Sequence, residues 1–490
     1  MRRPDPPATR PQPARPAHPR RSASDRALDR RIAALALPAL GSIAAEPAYN
    51  LADTAIVGHL GRVQLDSLAI AATALSMTGW VALFLTTATT SAVAGLAASR
   101  GLAGRDRAGR TAGAAYLVAA AGGVVVAILI AAMAPRIAVL LGAHGAVYTG
   151  AVGYLRAAAV GLPFLYISYA GNGHLIGLAN TRTPLRVAVI ANVLNVALEL
   201  ALVYGLHLGL LGSAWGTVIA QVVAAALYAA ASRRQAEVRP RRPGRAEITA
   251  LLRDGHRLSV RTIALGVVPL TTTAIAARLG PVALGGQQIA MRVWYLLALL
   301  LDALAVPAQV YVSSALGAGD HDGSCLVGRR TLRLGLLAGV GLGVITAALA
   351  WPLPLLFTTD PAVRHAATVA LLVAALTQPP AALAFVLDGL ILGISDYVAM
   401  RRAMIWAVLA YLPVAVLVLR FHALGLPGIW AALWLWLAAR AALLGRRWRA
   451  HIQAADLNCR PDPPPAYLDL AEMPPASCPS SLADRSRREE

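Results

Sequence analysis

Twelve long apolar runs dominate the chain, each about long enough to cross a lipid bilayer as a helix. They cover roughly residues 33–57, 68–97, 110–133, 147–178, 184–206, 210–232, 258–279, 284–316, 331–356, 364–394, 401–420 and 424–445. Charged residues make up only 14% of the 490, and mean hydropathy is +0.60. A soluble domain carries about a quarter charged residues. The surplus apolar surface must face lipid. An all-α integral membrane protein of twelve transmembrane helices is expected. Proline and glycine inside the runs do not argue against this, because membrane helices tolerate both.

The arginines set an orientation. All basic side chains other than histidine are arginine, and the formal net charge is +20. Every second connection is rich in them. Arg100, Arg105, Arg107 and Arg110 follow the second run, Arg182 and Arg186 lie between the fourth and fifth, and Arg329, Arg330 and Arg333 precede the ninth. The intervening loops carry Arg62, Arg136, Arg278, Arg364 and Arg420 singly. The positive-inside rule then places both termini and the central linker in the cytoplasm of a cell-membrane protein. Loop and tail arginines are accounted for in this way, so no nucleic-acid partner is expected.

Internal repeats divide the chain in two. "AIVGHLGRVQLDSLAIA" (55–71) and "AIAARLGPVALGGQQIA" (274–290) agree at eight of 17 positions, an offset of 219. Pro163/Pro379, Asn172/Asp388, Gly173/Gly389, Gly177/Gly393 and Arg186/Arg402 share an offset of 216. "LGLLG" (208–212) repeats as "LGLPG" (424–428). The expected organisation is a disordered basic tail (1–31), a six-helix bundle (32–232), a basic linker (233–256), a second bundle in the same orientation (257–445) and a disordered tail (446–490). Duplicated bundles of this kind suit alternating access.

Five acids fall within the spans: Glu46, Asp53, Glu199, Asp302 and Asp388. An acid at mid-membrane costs about 2.5–3.5 kcal/mol on insertion scales, so it marks a pathway or a partner. Such a group is a natural proton carrier or cation ligand; the alternative for Asp53 is an acid near a span end that reaches water. Glu46 and Asp53, seven apart, share a helix face. In "ANVLNVALELALVYG", Asn195 and Glu199 are helical neighbours at i and i+4. Asn192 extends that stripe or packs against another helix. Thr217, alone in "GSAWGT", reads as structural by itself.

Together these stretches bear a family resemblance. "YNLADTAIVGHLG", "NVLNVALELALVYGLHLGLLGSAWGT", "YLRAAAVGLPF" and "LDGLILG" resemble the multidrug and toxic compound extrusion (MATE) transporters, most closely their DinF-like branch. The similarity spans about residues 32 to 445. It implies a secondary antiporter that exports an organic, often cationic, compound as protons or sodium ions enter. The matching ion-site positions are Asp53, Asn195, Glu199 and Thr217, with Asn172 and Tyr154 as neighbours; Na+ at Asp53 and Glu199 is the one metal ion implied. Pro38 matches a proline at which the first helix is proposed to bend. Glu46 falls where a polar residue lines the substrate cavity, together with Asp53, and an acid there favours a cationic substrate. The family usually has Asp at the position of Glu199, a departure that favours protons over sodium. In the second half, the 219 offset carries Asp53 onto Thr272. Its acids, Asp302 and Asp388, either pair with Arg292 or Arg261 or take part in transport.

Other chemistries lack their residues. Without lysine there is no P-loop, and "GVGLGVITA" (339–347) reads as a close-packing helix surface. His174 and His256 read as packing or interface residues. Cys325, Cys459 and Cys478 have no metal or disulfide spacing. No enzymatic activity and no cofactor are expected, and a monomer is. The remaining alternative is a flippase for lipids or lipid-linked precursors, which would need several cationic residues in its groove.

Overall fold

Helix accounts for nearly every residue from Arg20 to Asn458. Lipid offers a backbone no hydrogen-bond partners, and a helix satisfies its own. The computed structural model describes residues 20–458; the side chains of 20–26, Glu46, Ala48, Leu51, Val81 and 455–458, with the remaining parts of both tails, lie outside that description. The first six crossings are built from α1 (Arg20–Gly58), α2 (Arg62–Ala98), α3 (Leu102–Leu140), α4 (Gly145–Ala159), α5 (Leu162–Gly177), α6 (Arg182–Leu200) and α7 (Leu210–Arg233). The rest are α8 (Arg245–Leu279), α9 (Pro281–Gly317), α10 (His321–Leu349), α11 (Pro361–Gly393), α12 (Tyr397–Arg420) and α13 (Gly425–Asn458). Among the described residues, ten helical segments pass the length and hydropathy requirements of a span, and the α4–α5 pair makes an eleventh. The expected first run, 33–57, forms most of α1.

Four expectations need correction. The run 147–178 is not one straight helix: α4 and α5 meet at 48°. Pro163, in the first turn of α5, lacks the N–H that would continue α4. The tail expected to be disordered to residue 31 is helical from Arg20, and the linker is helical from Arg245. The final helix runs to Asn458 rather than ending near 445. Arginine is a good helix former, and a helix leaving the membrane extends as long as its charges stay solvated.

The repeat is written into the backbone. Gly61 (φ 119°) and Gly280 (φ 114°) open α2 and α9 at the 219 offset. Ala179 and Ser395, both at φ 57°, follow α5 and α11 at the 216 offset. Gly209 (φ 55°) precedes α7, and Gly425 (φ 47°) opens α13. Packing repeats as well. A Cβ on Gly123 would lie 2.5 Å from Pro163 Cα, and one on Gly339 would lie 3.2 Å from Pro379 Cα. Likewise Gly173 meets the Thr86 carbonyl oxygen at 2.5 Å and Gly389 that of Ala305 at 2.4 Å. Small residues permit such close helix approach in a membrane bundle.

The halves meet at the end that bears the arginine-rich loops, the basic end. There Gln309 donates to the Thr87 carbonyl at 2.8 Å and to Ser91 Oγ at 2.7 Å, while Ser91 donates to the Leu392 carbonyl at 2.8 Å. Gly95 and Gly317 approach backbone to backbone, and the Trp80 ring lies against Gly266 at mid-depth. The linker is strapped to the first half. Arg241 donates its backbone N–H to the Gly109 carbonyl at 2.9 Å and pairs with Asp106. The buried His174 ring bonds the Val238 carbonyl at 3.0 Å, the interface role its sequence suggested.

Substituting Gly173→Val should destabilise the protein by about 1–3 kcal/mol, the usual range for overpacking. Gly341→Ala, which meets nothing within 4 Å, is the matched control and should be near neutral. Thermal unfolding in detergent reads both.

Candidate functional site

Three pairs of polar residues, each four apart and so on one helix face, converge inside the first half. Tyr49 and Asp53 come from α1, Asn195 and Glu199 from α6, Ser213 and Thr217 from α7. Tyr154 of α4 closes the chamber beside Ser213 and Thr217. Asp53, Asn195 and Glu199 are 7%, 3% and 0% exposed, which answers whether Asp53 merely reaches water from a span end: it is interior.

The hydrogen bonds run in one direction. Tyr49 donates its hydroxyl to Thr217 Oγ1 at 2.9 Å. Thr217 donates to Asn195 Oδ1 at 3.2 Å, and Asn195 Nδ2 donates to Glu199 Oε1 at 2.8 Å. Separately, Ser213 donates to Asp53 Oδ1 at 2.7 Å. The two carboxyl groups lie within hydrogen-bonding reach of each other. No protein donor meets Glu199 Oε2. Two carboxylates cannot hydrogen-bond unless one carries a proton, and both ionised side by side would repel strongly in a buried chamber. The set therefore has room for one proton or one small cation between the acids, with hydroxyl and amide groups arranged around them. Among the described residues no group of three or more His, Cys, Asp or Glu side chains converges.

Local structure makes room for the longer acid. A Cβ on Gly216 would lie 3.1 Å from Glu199 Cγ, so glycine there leaves the extra methylene its space. Directly after Glu199, Ala201–Gly205 widens to a π-helical turn, a form frequent at functional sites. Within it Tyr204 donates to the Ile56 carbonyl at 2.6 Å, fastening α6 to the end of α1. Asn192 does not extend the polar stripe; it donates to the Ala45 carbonyl at 2.7 Å, a helix-packing contact.

The second half serves as an internal control. Adding 219 to the α1 positions and 216 to the others carries the chamber onto Val268, Thr272, Ala370, Tyr411, Ala415, Ile429 and Leu433. All are buried, and all but Thr272 belong to the apolar core of that half. The fold does not require acids at these positions. Their presence in one half alone serves something other than folding.

The remaining expected residues are dispersed. Asn172 on α5 makes no hydrogen bond to the chamber, and its Oδ1 is buried without a partner. Pro38 lies within α1, which continues through it. The Glu46 side chain lies outside the described residues. Asp388 pairs with Arg261 at 2.7 Å and with Arg440, whose guanidinium lies 5.0 Å above the Phe385 ring. Asp302 is the fourth charge of this cluster. Arg292 is not part of it; it faces a groove between α8 and α9. The sequence reading missed Tyr49, Ser213 and Arg440. For the first two the signal was present: each is four residues from a residue already singled out. Arg440 could have been found from charge balance, as a lone arginine deep in an apolar run.

A duplicated helical bundle that encloses an acid pair between its own helices is the architecture of a membrane transporter. The MatE family model matches residues 38–201 and 258–418, and the chain belongs to that family of transporters. It is 32% identical over 435 residues to Protein DETOXIFICATION 44, chloroplastic, of Arabidopsis thaliana, covering 85% of this chain and 81% of that one. It is 26% identical to the DNA damage-inducible protein F of Escherichia coli, over 86% of this chain and 92% of the relative. The fold matches a MOP superfamily transporter from Pyrococcus furiosus with a TM-score of 0.80 and 19% identity, covering 88% of this chain and 97% of that one.

Breaking the Asp388 cluster should be costly. Arg440→Met leaves a buried carboxylate with one partner fewer, a loss of about 3–5 kcal/mol for pairs of this kind. The double variant Arg440→Met with Asp388→Leu should recover much of that loss. Thermal unfolding of the two variants compares them.

Proposed function

We propose that the protein is a secondary active antiporter of the cell membrane that exports organic compounds as protons flow inward. The reading is carried by one observation: an acid pair sealed within the first half, absent from the matching positions of the second. Relatives named for detoxification and multidrug resistance support an efflux role. The basic end, with both termini and the linker, lies in the cytoplasm under the positive-inside rule. The two six-helix bundles, 32–232 and 257–445, act as the moving units, and the chain works as a monomer.

In the proposed cycle, Asp53 and Glu199 hold a single proton between them. Ser213 and Asn195 keep each carboxyl oriented, and Tyr49 and Thr217 complete the chain of donors. Loss of that proton adds a negative charge to a dry chamber, which rearranges the donors and with them α1 around Pro38. The coupling this requires is bounded: about 5.5 kcal/mol of differential affinity turns a 1:99 equilibrium into 99:1. Sodium is the alternative ion, held by the same oxygens. Protons are favoured because the carboxyls approach each other closely enough to share one.

Asp53→Asn and Glu199→Gln should each abolish substrate-dependent proton exchange in inside-out vesicles, while substrate binding persists. Exchange that survives in either variant contradicts the proposal. Exchange that requires sodium at fixed pH assigns the site to that ion instead.

A further inference from the structure

Beyond Trp80, toward the end away from the arginine-rich loops, a groove of about 620 Å³ opens along α8 and α9. Leu270, Thr273 and Ala277 line it from α8, and Gln288, Arg292 and Tyr295 line it from α9. Arg292 is the one charged residue in that lining. It is exposed, and no described carboxylate pairs with it. That is unusual at its depth. Arg292 lies within the apolar run 284–316, eight residues from its nearer end. A guanidinium facing lipid there is strongly disfavoured.

The face it occupies is turned toward the first half. On α8, Leu270, Thr273 and Ala277 follow Gly266 in three- and four-residue steps, and Gly266 meets Trp80 of α2. On α9, Gln288, Arg292 and Tyr295 share a face with Val306, which packs against Leu35 of α1 and Ala94 of α2. The groove therefore lies on the faces of α8 and α9 that pack against the first half at Gly266 and Val306, and Asn50, Thr73 and Ser76 are exposed on α1 and α2. By contrast, Arg261 and Arg440 each pair with Asp388. Among the described residues, Arg292 is the one of these three with no acid paired to it.

We infer that Arg292 binds the anionic group of the transported compound, so that the substrate class is an organic anion or zwitterion carrying a carboxylate, sulfonate or phosphate on an apolar body. The inference rests on the efflux reading above. A guanidinium binds a planar carboxylate through two parallel charge-assisted hydrogen bonds. Gln288 and the Tyr295 hydroxyl stand beside it as further polar contacts, while Leu270, Leu284 and Met291 offer apolar surface for the body of the compound. Ion coupling and substrate binding then use opposite halves and opposite charges: acids take the proton, and a base takes the substrate.

The test uses two dyes that share a xanthene body, carboxyfluorescein (anionic) and rhodamine 6G (cationic), with the full chain in neutral detergent. Fluorescence anisotropy should show tighter binding of carboxyfluorescein. Arg292→Gln should weaken that binding about tenfold or more, where tenfold corresponds to about 1.4 kcal/mol. Arg292→Lys should restore part of it. Preferential binding of rhodamine 6G, or carboxyfluorescein binding indifferent to Arg292→Gln in protein with unchanged thermal unfolding, overturns the inference. So does Arg292-dependent binding of phosphatidylglycerol with no binding of either dye, which assigns the groove to a lipid headgroup. In vesicles, transport of rhodamine 6G unaffected by Arg292→Gln sinks the substrate class alone. Transport of neither dye, despite Arg292-dependent binding of carboxyfluorescein, counts against the efflux reading instead.

Discussion

Two carboxyl groups buried side by side inside a membrane cannot both be ionised at an acceptable cost, and the arrangement around Asp53 and Glu199 follows from that constraint. Each acid is kept in place by a neutral donor, Ser213 or Asn195, rather than by an arginine. A cation there would fix both charges and end the exchange of protons. The second half shows the alternative. Asp388 is locked by two guanidinium groups, Arg261 and Arg440. One half is built to change its charge and the other to hold it.

The duplication makes this comparison possible. Glycines at matching positions bring matching helices together, and residues of positive φ recur at the same two offsets. Against so regular a scaffold, the acid chamber stands out as a departure, as does Arg292, which pairs with no acid among the described residues. Packing or lipid exposure alone requires neither.

Much of the fold could be read from the sequence because lipid imposes simple rules: runs long enough to cross, arginines on one side, and a repeat that keeps helix order. The chamber was partly legible for a similar reason. Glu199 and Asn195 lie four apart, and Asp53 is too costly in an apolar run to be incidental. What the sequence hid were contacts between helices distant along the chain. Tyr49 and Ser213 look ordinary until α1 and α7 bring them to Thr217 and Asp53. Arg440 is matched to Asp388 only by the packing of α13 on α11. The break between α4 and α5 was signalled by Pro163, yet proline is tolerated in so many membrane helices that its presence alone does not predict a bend. The helical extensions at Arg20 and Asn458 escaped because the charged tails were read as disordered, and that at Arg245 because the basic linker was not read as helix.

The central claim is that the acid pair shares one exchangeable proton. Infrared difference spectroscopy across a pH titration of the purified protein tests it most directly. A carbonyl stretch from a protonated buried carboxyl should be present and should vanish on titration, and both Asp53→Asn and Glu199→Gln should remove it. A spectrum in which every carboxyl-band change survives both substitutions would contradict the account.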